Sequence, residues 1–287
     1  MARRGGSWLP SMVDLPMGLG DHLNDLRRRL MWPVITVIVL FVVTFAIQSQ
    51  LKQALVWPLI RAITIVGPKE AIEVGLVRDQ AQYDSIGKEP LRCLVVRSVS
   101  EPAANALRVS MLVSIMAAVP VFLWHLWGFV AVGLKQRERK LAFLFVPLGV
   151  IFFYLGTVVG YFAGMPYMYA WLIQYAASDS TAVYMINQSD YIDEFVSWTL
   201  AFGLVMDIPW LVMVVVRVGL VTPEKLATFR RYIVLGNIVI AACIIPTDVM
   251  SMMILAVPMQ MLFEGGLFAS RFLRPPGRPR GVIDGEE

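Results

Sequence analysis

Between Phe195 and Val216 the chain runs for 22 residues with a single charged side chain, Asp207, near the middle. A stretch of that length and apolarity is what crosses a hydrocarbon core about 30 Å thick. Comparable runs occupy 31–48, 109–132, about 141–171, about 232–245 and about 249–269. Helices satisfy their own backbone polar groups in lipid, so the pattern predicts an all-α integral membrane protein with six spans. Composition points the same way. Of 287 residues, 57% are hydrophobic and 16% charged, more apolar surface than a soluble domain of this length could hide. One transmembrane domain is expected over 1–272, followed by a disordered tail, 273–287, rich in Pro, Gly and Arg. Polar residues precede the first run and no small-residue cleavage site follows it, so the first span is expected to be retained. Pro120, Pro147, Pro166, Pro209 and Pro258 fall inside or at the rims of spans and should kink them. The fifth run has only about 14 residues, roughly 21 Å at 1.5 Å each, short of a full crossing.

Basic residues fix a sidedness. Arg3, Arg4, Arg27, Arg28 and Arg29 precede the first run, and Lys135, Arg137, Arg139 and Lys140 join the second to the third. Arg217, Lys225, Arg230 and Arg231 join the fourth to the fifth, and Arg271, Arg274, Arg278 and Arg280 follow the sixth. The alternate connections 176–194 and 246–248 carry no Lys or Arg. By the positive-inside rule both termini are expected in the cytoplasm. The connection 49–108 carries eight basic residues against that rule, but long loops translocate largely regardless of charge. Its short amphipathic pieces predict an ordered outer cap with helical ends. Cys93 lies in a polar run and Cys243 in an apolar one, so no disulfide is expected, and two Cys with two His make a metal site improbable on numbers alone.

Few stretches carry chemistry. In DHLNDLRRRL, Leu23, Leu26 and Leu30 share one helical face and Asp21 can cap the start, which reads as an interfacial helix with a basic anchor. In GFVAVGLKQRERK, Glu138 is the one acid among four cations. It either pairs internally or accepts a guanidinium from a partner, whose planar fork bonds both carboxylate oxygens. Asp207 is costlier, since a charge at the bilayer centre costs about 2.5–3.5 kcal/mol on insertion scales. Gly203 and Leu200 share its face and Pro209 follows, which suggests a polar recess turned from lipid; a hydrogen-bonded packing residue is the other reading. Asp248 suits an N-cap of the sixth span, Glu264 an interfacial acid, and His125, beside Trp124 and Trp127, an interfacial histidine. No nucleophile has a His at suggestive spacing, and no HExxH, GxSxG or Walker-type loop occurs, which disfavours an enzyme.

HLNDLRRRL, LWGFVAVGLKQRERK, FYLGTVVGYFAGMP, AFGLVMDIPW, TPEKLATFRRY and PTDVMSMMILAVPMQMLFEGGLFASRF, in this order, resemble the TatC subunit family of the twin-arginine translocase. The likeness runs from about Asp21 to Phe272 and is weakest over 64–99. It implies a concave, glove-like six-helix bundle in the inner membrane, with no cofactor and no ATP site. The implied function is a receptor for signal peptides bearing adjacent arginines and the core of a system exporting folded proteins on the proton-motive force. The implied partners are single-span TatA-like and TatB-like proteins, twin-arginine signal peptides and further copies of the chain; no nucleic acid is expected. By position, Glu138 and Asp25 match the family's signal-binding acids, with Leu26, Arg27, Phe129 and Leu134 beside them. Asp207 matches an intramembrane glutamate facing the concave side, and Asp248 the acid at the outer end of span six. The chain departs from the family pattern with Asp at 25 and 207, Val132 in place of a usual proline and Gln136 in place of a basic residue. The competing reading is a secondary transporter with Asp207 as its coupling carboxylate, although no internal repeat of the transporter kind is seen.

Overall fold

The computed structural model describes residues 19–85, 94–130, 136–178, 185–218, 221–244 and 249–270, with side chains outside 19–30, 129–130, 136–145, 218, 244 and 251. Among them the fold is helical: α1 Leu19–Ala46, α2 Gln48–Val66, α3 Pro68–Glu73, α4 Gln80–Asp84, α5 Glu101–Val130 and α6 Gln136–Val159. There follow α7 Met165–Ala177, α8 Gln188–Met206, α9 Ile208–Val218, α10 Pro223–Thr228, α11 Arg230–Ile244 and α12 Val249–Ser270. Among the described residues four helical stretches are long and apolar enough to cross a membrane: Glu101–Gly128, Val146–Ala177, Gln188–Arg217 and Met252–Ser270. A fifth is obtained if Met31–Ala46 and Gln48–Val66, which meet at 86°, count together. As its run in the sequence suggests, α11 is short: 15 residues, about 23 Å.

The expected second span begins earlier than its apolar run. Residues 101–108, read as the end of the outer cap, form the first two turns of α5. Glu101, Asn105 and Arg108 are their polar side chains, and Arg108 pairs with Asp193 at 3.2 Å. The cap itself is ordered. At Ile47 the backbone leaves helical geometry (φ −107°, ψ 19°) and the chain turns through 86° into α2. From there α2 buries Leu55, Pro58, Leu59, Ala62 and Ile63 as one face, with α7 as its main neighbour. Gly67 (φ +103°), a left-handed position that a side chain would strain, ends α2 and admits α3. The segment after residue 93 is tied to the start of α8 by two main-chain bonds: Val95 N–H to Ile186 O, and Gln188 N–H to Val95 O, both 2.9 Å.

Proline acts unevenly. Helices α5, α6 and α12 are continuous through Pro120, Pro147 and Pro258. The interruptions lie ahead of the other two. A π-helical turn, Gly160–Gly164, separates α6 from α7 where Pro166 cannot donate to the Phe162 carbonyl. Span four breaks at Asp207, where Pro209 has no N–H for the Val205 carbonyl.

The core divides into a large cluster at the cap end, including Leu59, Met168, Tyr191, Phe195 and Phe202, and smaller ones at the other end. Leu123, Trp127, Val146, Trp210 and Val214 form one of these, and Val212, Phe263 and Leu267 another. Outside them Ile35, Ile38, Val39 and Val42 on α1 lie open, as a lipid-facing surface would. The expected tail, 273–287, and Cys93 lie outside the described residues; Cys243 is a free, exposed thiol.

Candidate functional site

Span four is the most enclosed of the crossing helices, with 61% of its apolar window buried against 39% or less in the other three. Glycine is the reason it sits so close to α6. A Cβ on Gly160 would lie 2.7 Å from the Cβ of Phe202, and one on Gly156 2.6 Å from the Cβ of Met206. Across the same interface a Cβ on Gly203 would meet the Phe153 ring at 2.6 Å. Gly156, Gly160 and Gly164 recur every fourth residue, so α6 and the π-turn present a backbone groove that receives Phe202 and Met206. On the far side Gly266 of α12 fits against Pro209, at 2.6 Å from its Cα.

Asp207 stands at the break between α8 and α9, held on both sides. Its N–H bonds the Leu204 carbonyl at 3.2 Å, and its carbonyl accepts from Leu211 N–H at 2.8 Å, so the chain resumes its helix one residue later. The residue is 6% exposed; Gly203, one turn back, is buried and Leu200 half-buried. Its Oδ1 is buried and has no hydrogen-bond partner among the described residues. An unpartnered, enclosed carboxylate oxygen is expensive, and packing alone gives no return for it. The alternative reading of Asp207, a hydrogen-bonded packing residue, therefore fits less well. Below it the Trp210 ring meets Trp127 edge-on at 5.4 Å between centroids.

A second polar feature lies between α11 and α12. Asn237, buried, donates from Nδ2 to Gln260 Oε1 at 3.0 Å; Gln260 Nε2 donates to Glu264 Oε1 at 3.3 Å; and Glu264 pairs with Arg230 at 2.9 Å. Glu264 is thus an interfacial acid, as expected, but it ends a chain of polar groups that the sequence reading did not assemble. The signal was there as Gln260 and Glu264 at i, i+4 in an otherwise apolar run. The recurrence of glycine within FYLGTVVGYFAG was likewise missed as a packing device.

Backbone topology bears on the expected guanidinium-binding acids. Near the cap Thr44 Oγ1 of α1 donates to the Ser110 carbonyl of α5 at 3.0 Å, and the two helices are antiparallel neighbours. Counting from that bond, residue 25 is 19 positions back along α1 and residue 129 is 19 positions on along α5, about 29 Å in each case. The backbones at 25 and 129 thus share the end of the bundle away from the cap, where α6 begins at Gln136. The side chains of Asp25, Leu26, Arg27, Phe129 and Glu138, and Leu134 and Asp248 altogether, lie outside the described residues. His125 is half-buried.

A family model described as Sec-independent protein translocase protein (TatC) matches residues 21–258. A protein of that name from Halothiobacillus neapolitanus is 34% identical over 259 residues, covering 89% of this chain and 62% of its own length. One from Azotobacter chroococcum is 28% identical over 266 residues, covering 93% of this chain and 94% of its own. The chain therefore spans less than two thirds of the first of these relatives and nearly all of the second. The fold matches a crystal structure of the twin arginine translocase receptor TatC with a TM-score of 0.70 at 24% identity, over 88% of this chain and 99% of that one. A crystal structure of the same receptor in DDM matches equally, at 25% identity over 87% and 99%.

Proposed function

Because this chain belongs to the TatC family of Sec-independent protein translocases, we propose that it is the signal-peptide receptor and core component of a twin-arginine translocase, exporting folded proteins on the proton-motive force. In this reading it has six spans. The 28-residue α1 and the short α11 join the four clear crossings, both termini lie in the cytoplasm and the helices form a concave, glove-like bundle in the inner membrane. The short α11 is accommodated by local thinning of the bilayer or by its neighbours. Glu138 and Asp25 receive the two guanidinium groups of the incoming signal, with Leu26, Arg27, Phe129 and Leu134 shaping the surface around them. Charge complementarity at such a site sets specificity. Single-span TatA-like and TatB-like partners and further copies of the chain complete the machine, and no cofactor is called for.

The observation that carries the reading is the family match over 21–258, which takes in both acids and the break at Asp207. The antiparallel packing of α1 on α5 supports it by giving the residue 25 and 129 backbones a common end of the bundle. Asp207 then serves as a polar contact inside the membrane for a partner helix, which accounts for an enclosed carboxylate oxygen left without a bond within the described chain. The deciding experiment is photo-crosslinking of the full chain, in membranes, to a signal peptide bearing two arginines and to its twin-lysine counterpart. Glu138→Arg should abolish crosslinking to the twin-arginine peptide. Undiminished crosslinking, or equal capture of the two peptides by the unaltered chain, would remove the receptor assignment.

A further inference from the structure

The outer cap carries more positive charge than the sidedness of the chain calls for, and three of the described cations near it have visible partners. Arg97 pairs with Asp190 at 3.6 Å, Arg108 with Asp193 at 3.2 Å, and Lys52 Nζ donates to the Pro102 carbonyl at 2.7 Å. Arg61 differs. It is exposed, it has no carboxylate within ion-pair distance among the described residues, and it lines an open cleft of about 430 Å³ with Trp57, Ile60, Thr64 and Phe162. Trp57, Arg61 and Thr64 follow at i, i+4 and i+7 along α2, on the face opposite the one buried against α7.

The cleft has a rigid aromatic floor. Trp57 stacks on Tyr161 at 5.4 Å with 13° between the planes and meets Phe162 edge-on at 5.0 Å. The Tyr161 hydroxyl is fixed by donating to the Ala54 carbonyl at 2.7 Å, while Phe162 remains 57% exposed. Its depth in the membrane follows from the chain path. α1 gives way at Ile47 to a helix turned by 86°, so α2 lies along the boundary where α1 leaves the hydrocarbon. Trp and Tyr at that level form the usual interfacial belt, with an apolar side toward the acyl chains and a polar side toward the headgroups. With α1 crossing the bilayer, as the proposed function has it, a guanidinium one turn from Trp57 and on the same face would sit at phosphate height.

We propose that this cleft binds an acidic phospholipid of the leaflet on the cap side. Arg61 takes the phosphodiester through its planar fork, and the glycerol and upper acyl carbons lie against Trp57, Ile60 and Phe162. A net negative headgroup is favoured over a zwitterionic one because no carboxylate lines the cleft to receive an ammonium group. The Thr64 hydroxyl, spent on the Arg61 carbonyl at 2.7 Å, leaves the guanidinium as the phosphate donor.

The test uses the full chain reconstituted in nanodiscs of phosphatidylcholine containing a minor fraction of phosphatidylglycerol, then released into detergent and weighed by native mass spectrometry. The unaltered chain should retain phosphatidylglycerol in preference to phosphatidylcholine. Arg61→Gln should weaken that retention about tenfold, the loss of one charge-assisted contact. Phe162→Ala, with thermal unfolding in detergent as the check that the chain still folds, should weaken it as well. Arg78→Gln, on the same cap, should leave it unchanged. Excess inorganic phosphate should fail to displace the lipid. Equal retention by Arg61→Gln, equal loss in Arg78→Gln, unaltered retention by Phe162→Ala, or complete displacement by phosphate would each overturn the assignment.

Discussion

Replacing Gly156 by alanine adds one methyl group where α6 lies on α8. Its Cβ would fall 2.6 Å from the Met206 Cβ and nearer still to the Phe202 carbonyl oxygen, whereas ordinary contact begins at 3.4 Å. The obstruction includes backbone, which no rotamer change relieves. The helices must therefore separate by on the order of 1 Å. A gap of about 0.5–1 Å forfeits a quarter to a half of each dispersion contact, and the loss spreads along the interface to Gly160 with Phe202 and Gly203 with Phe153. Overpacking of this kind costs about 1–3 kcal/mol. Alanine returns up to about 1 kcal/mol as the better helix former. A net loss of roughly 1–2 kcal/mol corresponds to a Tm lower by about 2–8 °C in a chain of this size. The assay is thermal unfolding of the purified protein in detergent, followed by intrinsic tryptophan fluorescence. Gly236→Ala and Gly265→Ala are the controls, since a Cβ at either meets nothing within 4 Å. If Gly156→Ala melts no lower than these, α6 and α8 do not approach as closely as described, and the placement of Asp207 beside that interface fails with it.

Asp207→Ala should stop export while leaving the affinity for a twin-arginine signal peptide unchanged, measured by transport into vesicles and by peptide titration; loss of small-solute uptake instead would favour a transporter. Asn187 caps α8 by accepting from Ser189 N–H at 2.7 Å and Asp190 N–H at 3.2 Å, so Asn187→Ala should cost about 1 kcal/mol and lower the Tm by about 2–4 °C in the same melting assay. The Arg230–Glu264 pair is partly open, with side-chain exposures of 47% and 38%, so Arg230→Gln should cost less than about 1 kcal/mol and abolish any salt dependence of the Tm that the pair confers.

The crossings were legible because lipid demands long apolar helices: α5 takes in the apolar run at 109–132 as far as Val130, α8 and α9 share the run at 195–216, and α12 contains the run at 249–269. The break in span four was legible as well, from Asp207 and Pro209 two residues apart. Three things were not. The 86° turn at Ile47 has no Pro or Gly to announce it; the chain turns where IQSQLK replaces a purely apolar sequence and α2 finds α7 to lie on. The glycine groove depends on which helix faces Gly156 and Gly160, and spacing within one helix does not say that Phe202 is the occupant. The polar chain from Asn237 to Arg230 links residues on two helices whose pairing is tertiary. Of the expected signal-binding side chains, sequence position alone speaks, and Glu264 illustrates the limit: a lone acid in the sequence proved to have neighbours.

The joint at Asp207 divides one crossing into two rods with separate allegiances. The rod nearer the cap, α8, is seated on α6 and α5, whereas α9 beyond the joint rests chiefly on α12. Because Pro209 already forgoes one bond of the ladder, swivelling there has fewer bonds to strain than it would in an uninterrupted helix. A tug delivered through the last helix is thus felt first by α9, with the carboxylate standing at the fulcrum.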